Sequence, residues 1–302
     1  MSWQSRILNT VLHLGKWQVS HRDVDAVKAM MRLSMNRLAE LEMQPSWVRC
    51  RSEIIAGVPC EWVSVAETPA DAGVILYLHG GGFVAGSPAS HRDMAWRLSR
   101  ASGLRMLLVD YRLAPEYPYP AQLDDSEAVY RALLDGGLPP DRLAVVGDSA
   151  GGNLALVTVF RAQRQQLPLP AAVIALSPWG DLTHSGESMV TNASSDHMIP
   201  VHLIDQIATM YAGDQDLLQP DLSPVFADYT GFPPLMLHAA HEEVLRDDAL
   251  RIHDRAEAAG VDVTCHLWRK VPHAFPVFAQ YLPEGRSAIR RMAEFLQQHL
   301  AG

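Results

Sequence analysis

Val145-Val146-Gly147-Asp148-Ser149-Ala150-Gly151-Gly152-Asn153 is the stretch on which the reading of this chain turns. An apolar run, Leu143 to Val146, leads into it. An apolar-periodic run carrying Leu154, Ala155, Val157, Thr158 and Phe160 leads out. That order predicts a strand, a sharp turn and a helix. Gly147 and Gly151 stand two residues either side of Ser149, the spacing of the G-x-S-x-G nucleophile turn. There the serine backbone is strained, and small neighbours let strand and helix approach closely. Ser149 would then stand above a strand end at a helix N-terminus, where the dipole and free amides favour an anion. Taken alone, the pentapeptide also fits a glycine-rich turn with an incidental serine, so its surroundings decide.

Working outward, apolar runs alternate with helical patterns. Val48–Ile55 and Cys60–Ala66 read as a hairpin about Gly57-Val58-Pro59. Gly73–Leu78 is apolar on both faces, the mark of an interior strand, and runs into His79-Gly80-Gly81-Gly82-Phe83. A helix over His91–Ser102, a strand over Arg105–Asp110 and a helix over Leu123–Leu134 precede the central stretch. A strand at Ala171–Leu176 follows it. Asp181–Tyr229 then breaks the alternation with polar turns and one amphipathic helix, Val201–Tyr211. Strands resume at Pro234–Ala239 and Val261–Leu267, with helices over Asp247–Ala259 and Gly285–Leu300. Such alternation predicts an α/β fold, a mostly parallel central sheet with helices on both faces.

Residues 1 to 45 hold two amphipathic helices ahead of the sheet. One is marked by Ile7, Leu8, Val11, Leu12 and Leu14, the other by Val24, Val27, Met30 and Met31. They read as a packing pair or as a lid, whose methionines would mould to a ligand. The expected division is N-terminal helices 1–45, core 46–182, inserted segment 183–230 and core 231–302. A long insertion between strands commonly forms a lid.

Composition narrows the function. The 302 residues are 48% hydrophobic and 20% charged, which suits one large domain with an appendage. A net charge of −9 argues against general binding to nucleic acid or anionic membrane. No secretory signal is evident in residues 7 to 14, and no run of about 20 apolar residues offers a membrane anchor. Cys50, Cys60 and Cys265 give neither a disulfide framework nor a zinc spacing. They read as reduced packing residues of a cytoplasmic protein.

Acyl transfer by serine needs a base, an acid to orient the base, and amide donors for the oxyanion. Of thirteen histidines, only His273 falls in the loop after the last strand, since His266 lies in that strand and His299 in the final helix. Glu243, after the preceding strand, is the first choice for the acid and Asp247 the second, although Asp247 and Asp248 also suit a helix N-terminus. Glu242 could pair with Arg246. His238, His241, Glu242 and Glu243 lack a recognised metal-ligand spacing, so neither metal nor cofactor is expected. Gly81 and Gly82, after a buried strand, supply amides unscreened by side chains and join the Ala150 amide as oxyanion donors. His79 is expected to brace this loop.

His79-Gly80-Gly81-Gly82, Asp110-Tyr111-Arg112-Leu113-Ala114-Pro115-Glu116, Gly147-Asp148-Ser149-Ala150-Gly151-Gly152, Ser177-Pro178-Trp179 and His273-Ala274-Phe275 occur in that order. Together they resemble the bacterial hormone-sensitive-lipase (family IV) carboxylesterases from about Gly73 to the C-terminus. The resemblance implies an α/β-hydrolase core, and a cap built from the N-terminal helices and the insertion between Trp179 and Pro234. It implies Ser149 as nucleophile, His273 as base, and Gly81, Gly82 and Ala150 as the oxyanion hole. One position departs from the pattern: many members carry Asp-Pro-Leu where this chain has Glu243-Val244-Leu245.

The expected activity is hydrolysis of a small apolar ester with a short- to medium-chain acyl group, through an acyl-enzyme. Lactone, arylacetamide and acetyl-group hydrolysis are the near alternatives. A non-catalytic small-molecule receptor on the same fold is the alternative of another class; relatives of that kind lose the base, and this chain keeps His273. No interface-seeking apolar segment is evident, which argues against a long-chain lipase. No nucleic-acid partner or stable membrane anchoring is expected, and a homodimer through an exposed sheet edge fits the fold.

Overall fold

The structure is a computed structural model. It describes residues 2–19, 21–41 and 44–301; Met1, Ser20, Glu42, Met43 and Gly302 of the regions read above lie outside the described residues. Eight strands form one sheet: β1 (Val48–Ile55), β2 (Val58–Val65), β3 (Val74–Leu78), β4 (Arg105–Val109), β5 (Leu143–Asp148), β6 (Ala172–Leu176), β7 (Leu235–Ala240) and β8 (Val263–Trp268). Nine α-helices accompany them among the described residues: α1 (Trp3–Val19), α2 (Val24–Leu41), α3 (Pro88–Ser102), α4 (Ala121–Asp135), α5 (Ala150–Arg164), α6 (Ser188–Thr191), α7 (Val201–Ala212), α8 (Arg246–Ala258) and α9 (Pro283–His299).

The sheet order is β1-β2-β4-β3-β5-β6-β7-β8, with β2 antiparallel to both its neighbours and β4 to β8 side by side in parallel. Strands β3, β5, β6 and β7 are buried at every position, which explains why their sequences are apolar apart from Asp148 at the end of β5 and His238 in β7. One core layer joins the sheet to α4 and α5 through residues such as Leu76, Val145, Leu154 and Val157. The other joins it to α3 and α9 through Ile75, Val146, Met94 and Met292.

Three readings are corrected. The hairpin turns at Ala56-Gly57, both at positive φ (48° and 82°), and Ile55 pairs with Val58. Val58 and Pro59 therefore belong to the strand, as a two-residue turn of this twist requires. Helix α3 starts three residues early because Pro88 fits the first helical position, and the Ser87 amide is satisfied by the Ser90 hydroxyl at 3.1 Å. Cys50 is exposed; of the three free cysteines only Cys60 is fully buried.

Helix α1 sits the opposite way round from an ordinary packing helix. Ser5 and Asn9 are its buried residues, because both side chains donate to the Lys270 carbonyl. Leu8 and Leu12 are half-buried, while Trp3, Ile7, Val11, Leu14 and Trp17 share one outward face at 56–68% exposure. The apolar face that the sequence marks as a packing or lid surface thus points outward. No described helix is long and apolar enough to cross a membrane.

Both segments read as possible lid material lie against the loops at the carboxyl ends of the parallel strands. From α2, Arg32 donates to the carbonyls of Val84 and Ala114 and pairs with Glu116. From α7, Tyr211 stacks on Phe83 with ring centroids 3.6 Å apart.

Candidate active site

Ser149 sits between β5 and α5 with φ 54° and ψ −120°. That strained conformation persists because its surroundings leave no alternative. A Cβ on Gly147 would lie 2.1 Å from the Gly151 carbonyl oxygen, and one on Gly151 would lie 2.0 Å from that of Leu78. Both positions therefore admit only glycine, and the turn can close. The Ser149 amide donates to the Leu176 carbonyl (2.8 Å), and its carbonyl accepts from Asn153 and Trp179 (3.1 Å each). The serine is thereby fixed to the ends of two strands.

His273 follows β8, and Glu243 follows β7. The Nδ1 of His273 and the Oε2 of Glu243 are 2.8 Å apart, and both side chains are buried, 4% and 1% exposed. The other carboxylate oxygen of Glu243 accepts from the Ala240 amide (3.1 Å). Burial pushes the Glu243 carboxyl above the ordinary range, against the opposing hydrogen bond and charge of His273. Burial likewise works against the charged form of His273. The hydrogen bond and charge of Glu243, helped by Asp196 and Asp148, outweigh it and raise the imidazole above its usual value.

Asp247 does not join this pair. Its carboxylate accepts from the Ser188 amide (2.8 Å) and bonds to Arg246, at the start of α8. Arg246 thus pairs with Asp247 and not with Glu242, whose carboxylate accepts from the Lys270 amide instead (2.7 Å). Asp248 is buried and accepts from the amides of Gly180 and Asp181. His238 accepts from Trp268 (2.9 Å), so His238, Glu242 and Glu243 each bond to a different partner. Among the described residues no group of three or more potential ligands converges as a metal site would require.

The loop after β3 supplies the donors. Gly81 and Gly82 both have positive φ, 122° and 63°, and a Cβ on Gly81 would lie 2.2 Å from the Ala85 carbonyl oxygen. Among the described residues the amides of Gly81, Gly82 and Ala150 meet no acceptor, whereas the neighbouring Gly80 amide is held by Asp148 Oδ1 at 2.9 Å. Two free donors thus lie in the loop after β3 and a third, Ala150, in the strained turn after β5.

Asp148 organises this side of the site, a role that the sequence does not announce. Its Oδ1 accepts from the Tyr77 hydroxyl (2.5 Å) and the Gly80 amide and lies 3.3 Å from His91 Nε2. Burial opposes its ionisation, but His91, Tyr77 and the Gly80 amide together hold its pKa below the ordinary value. His79 braces the loop as expected. Its Nδ1 donates to the Gly80 carbonyl (2.9 Å), its ring stacks on Tyr111 at 4.2 Å, and the Tyr111 hydroxyl donates to its carbonyl (2.5 Å). Burial, with His91 nearby, drives the His79 pKa down to about 3, so it is a neutral brace. Ser177, which opens the Ser177-Pro178-Trp179 motif, also takes part. Its hydroxyl accepts from the Ala274 amide (3.1 Å), tying the end of β6 to the loop that carries His273.

Ser149, Glu243, His273 and the three amides thus come from the carboxyl ends of β3, β5, β7 and β8, with Ser177 after β6 between them. A strained hydroxyl, a buried carboxylate–imidazole pair and free amides are the parts that nucleophilic acyl transfer needs.

A family described as having the alpha/beta hydrolase fold matches residues 75–277. An acetyl-hydrolase of Streptomyces hygroscopicus is 39% identical over 78% of this chain and 79% of its own. An esterase of Acinetobacter venetianus is 33% identical over 88% of this chain and 87% of its own. Among solved structures, an esterase from the bacterial hormone-sensitive lipase family superposes with a TM-score of 0.93 at 37% identity, covering 100% of this chain and 99% of that one.

Proposed function

Because the chain belongs to the bacterial hormone-sensitive-lipase family of α/β-hydrolases and is a serine carboxylesterase, we propose that Ser149, His273 and Glu243 carry its chemistry. The Glu243 bond to Nδ1 of His273 supports a tautomer that leaves Nε2 as the base. Nε2 takes the Ser149 hydroxyl proton as the oxygen attacks the ester carbonyl carbon. The carbonyl oxygen becomes an anion held by the amides of Gly81, Gly82 and Ala150. Collapse of the adduct breaks the bond to the alcohol oxygen, which receives the proton from His273. A water then gives its proton to His273 and attacks the acyl-serine, and collapse releases the acid as His273 returns that proton to the Ser149 oxygen.

Glutamate suits the acid position because its task is to orient and stabilise an imidazolium, not to take its proton. The observations that carry this reading are the buried 2.8 Å bond between Glu243 and His273 and the strained serine turn after β5.

In this reading residues 1–45 and 183–230 form a cap over the carboxyl ends of the strands, and the substrate is a small apolar ester with a short to medium acyl chain. Acetyl esters are included, in keeping with the named activity of the Streptomyces relative. The three free cysteines support a reducing, cytoplasmic setting.

The test is hydrolysis of p-nitrophenyl esters from acetate to palmitate by wild type and Ser149→Ala. The expected outcome is turnover of the short and middle members, reduced by about 10⁵- to 10⁶-fold in the variant. Full activity of Ser149→Ala would remove the serine from the mechanism, and a preference for palmitate would overturn the substrate class.

A further inference from the structure

The turn that carries Glu243 is weakly held by its own backbone. Within it the Glu243 amide reaches the Ala240 carbonyl at 3.4 Å, and the Arg246 amide reaches the Glu243 carbonyl at 3.3 Å, both long for such bonds. Shorter bonds come from outside, from the segment inserted between β6 and β7. Asn192 Nδ2 donates to the carbonyls of His241 (3.1 Å) and Glu243 (2.8 Å). The Ser195 hydroxyl donates to the Glu242 carbonyl (3.0 Å), and the Val244 amide donates to Asp196 Oδ2 (2.9 Å). The Ser188 hydroxyl donates to the Val244 carbonyl (2.5 Å), so four successive residues of the acid turn are held by four side chains of the insertion, Ser188, Asn192, Ser195 and Asp196.

Asp196 is the centre of this arrangement. Its side chain is buried, and its Oδ1 accepts from the amides of Met198 (2.7 Å) and Ile199 (2.9 Å). Its backbone carbonyl accepts from Lys16 of α1 (2.7 Å). The carboxylate therefore joins three amides on two separate stretches of chain, and its charge reaches both Glu243 and His273.

We propose that Asp196 is a positioning residue for the acid–base pair, fastening the turn that presents Glu243 to the inserted segment. Seating of that segment and alignment of the pair are then one event. The proposal rests on Glu243 and His273 acting as acid and base, and it adds a residue that meets neither substrate nor serine.

Asparagine at this position keeps the shape and separates the two halves of the role. Two amides converge on Oδ1 and one on Oδ2, so the side-chain oxygen of an asparagine would stay with Met198 and Ile199. Its NH₂ would then face the Val244 amide, donor against donor, breaking the link to the acid turn alone. Removing the charge also withdraws one of three carboxylates facing His273, leaving Glu243 and Asp148.

The experiment is the steady-state kinetics and pH profile of Asp196→Asn on p-nitrophenyl butyrate, with Glu243→Ala alongside. The expected result is a roughly 10- to 100-fold fall in kcat with KM within about threefold of wild type, and an acid limb of kcat/KM displaced to lower pH. Wild-type kcat and profile in Asp196→Asn, with Glu243→Ala crippled, would overturn the proposal and leave the acid–base reading intact. A rise in KM alone would also overturn it, since that marks substrate binding. Wild-type rates in Glu243→Ala would overturn both. Should Asp196→Asn fail to fold, Ser195→Ala removes one link from a half-buried side chain. A fall in kcat of roughly two- to fivefold supports the proposal, and an unchanged kcat overturns it.

Discussion

Glu243 Oε2 lies 2.8 Å from Nδ1 of His273, while Asp247, one helical turn further along the chain, is committed to Ser188 and Arg246. The two acids therefore separate cleanly by mutation. Glu243→Ala should lower kcat/KM by about 10⁴-fold, the scale of losing a triad acid. Asp247→Ala should stay within about tenfold and act mainly on stability through its contact at α6. Equal losses in the two variants would contradict this assignment.

The pH profile follows from the same pair. His273 must be neutral to accept the serine proton, and its pKa stands above the usual imidazole value. Activity should therefore fall, as pH drops, at a higher pH than an unperturbed histidine would give. In Glu243→Gln the bond to a charged partner is lost, so the residual activity should show an acid limb at lower pH. A midpoint that does not move between the two proteins would show that Glu243 does not set the base.

At Gly151 a methyl group would meet the Leu78 carbonyl oxygen at 2.0 Å and the His79 backbone at 2.5 Å. Gly151→Ala should destabilise the protein by about 1–3 kcal/mol and reduce kcat by about 10²-fold or more through displacement of the elbow. Gly15→Ala is the control. That position lies inside α1 with open space around it, so the change should stabilise by about 0.5–1 kcal/mol. Urea unfolding and ester turnover read both effects.

Asp148 joins Tyr77, His91 and the Gly80 amide in a buried cluster. Asp148→Ala should cost about 3–5 kcal/mol, because it leaves these partners unsatisfied. Its folded pKa is depressed, so the charge-dependent part of this stability is present above the unfolded carboxylate value, about 4. It is lost as pH falls through the folded value. The stability gap between wild type and Asp148→Asn should be full at neutral pH and shrink in acid. A gap that widened in acid would contradict the sign.

The elements easiest to read from sequence were those whose burial is uniform. The runs at Val74–Leu78 and Leu143–Val146 are apolar because both faces of the sheet are covered. The sharp turn at Ser149 and the meeting of Glu243 with His273 were legible because chain order and strand ends restrict where such groups can stand. What stayed hidden depends on partners distant in sequence. Asp148 reaches Tyr77 across 71 positions, and Asp196 reaches the amide of Val244 across 48. No local pattern encodes either contact. Helix α1 misled for a related reason: its amphipathic spacing was visible, but the Lys270 carbonyl claims its polar side and turns the apolar one outward.

The most direct test of the central claim is covalent trapping with diethyl p-nitrophenyl phosphate, followed by peptide mass spectrometry. Attack by an activated serine releases p-nitrophenol and leaves a diethylphosphoryl group on its oxygen. The account predicts one group per chain, on the peptide containing Ser149, with labelling slowed by orders of magnitude in His273→Ala. A label on another residue, or equal labelling in Ser149→Ala, would contradict it.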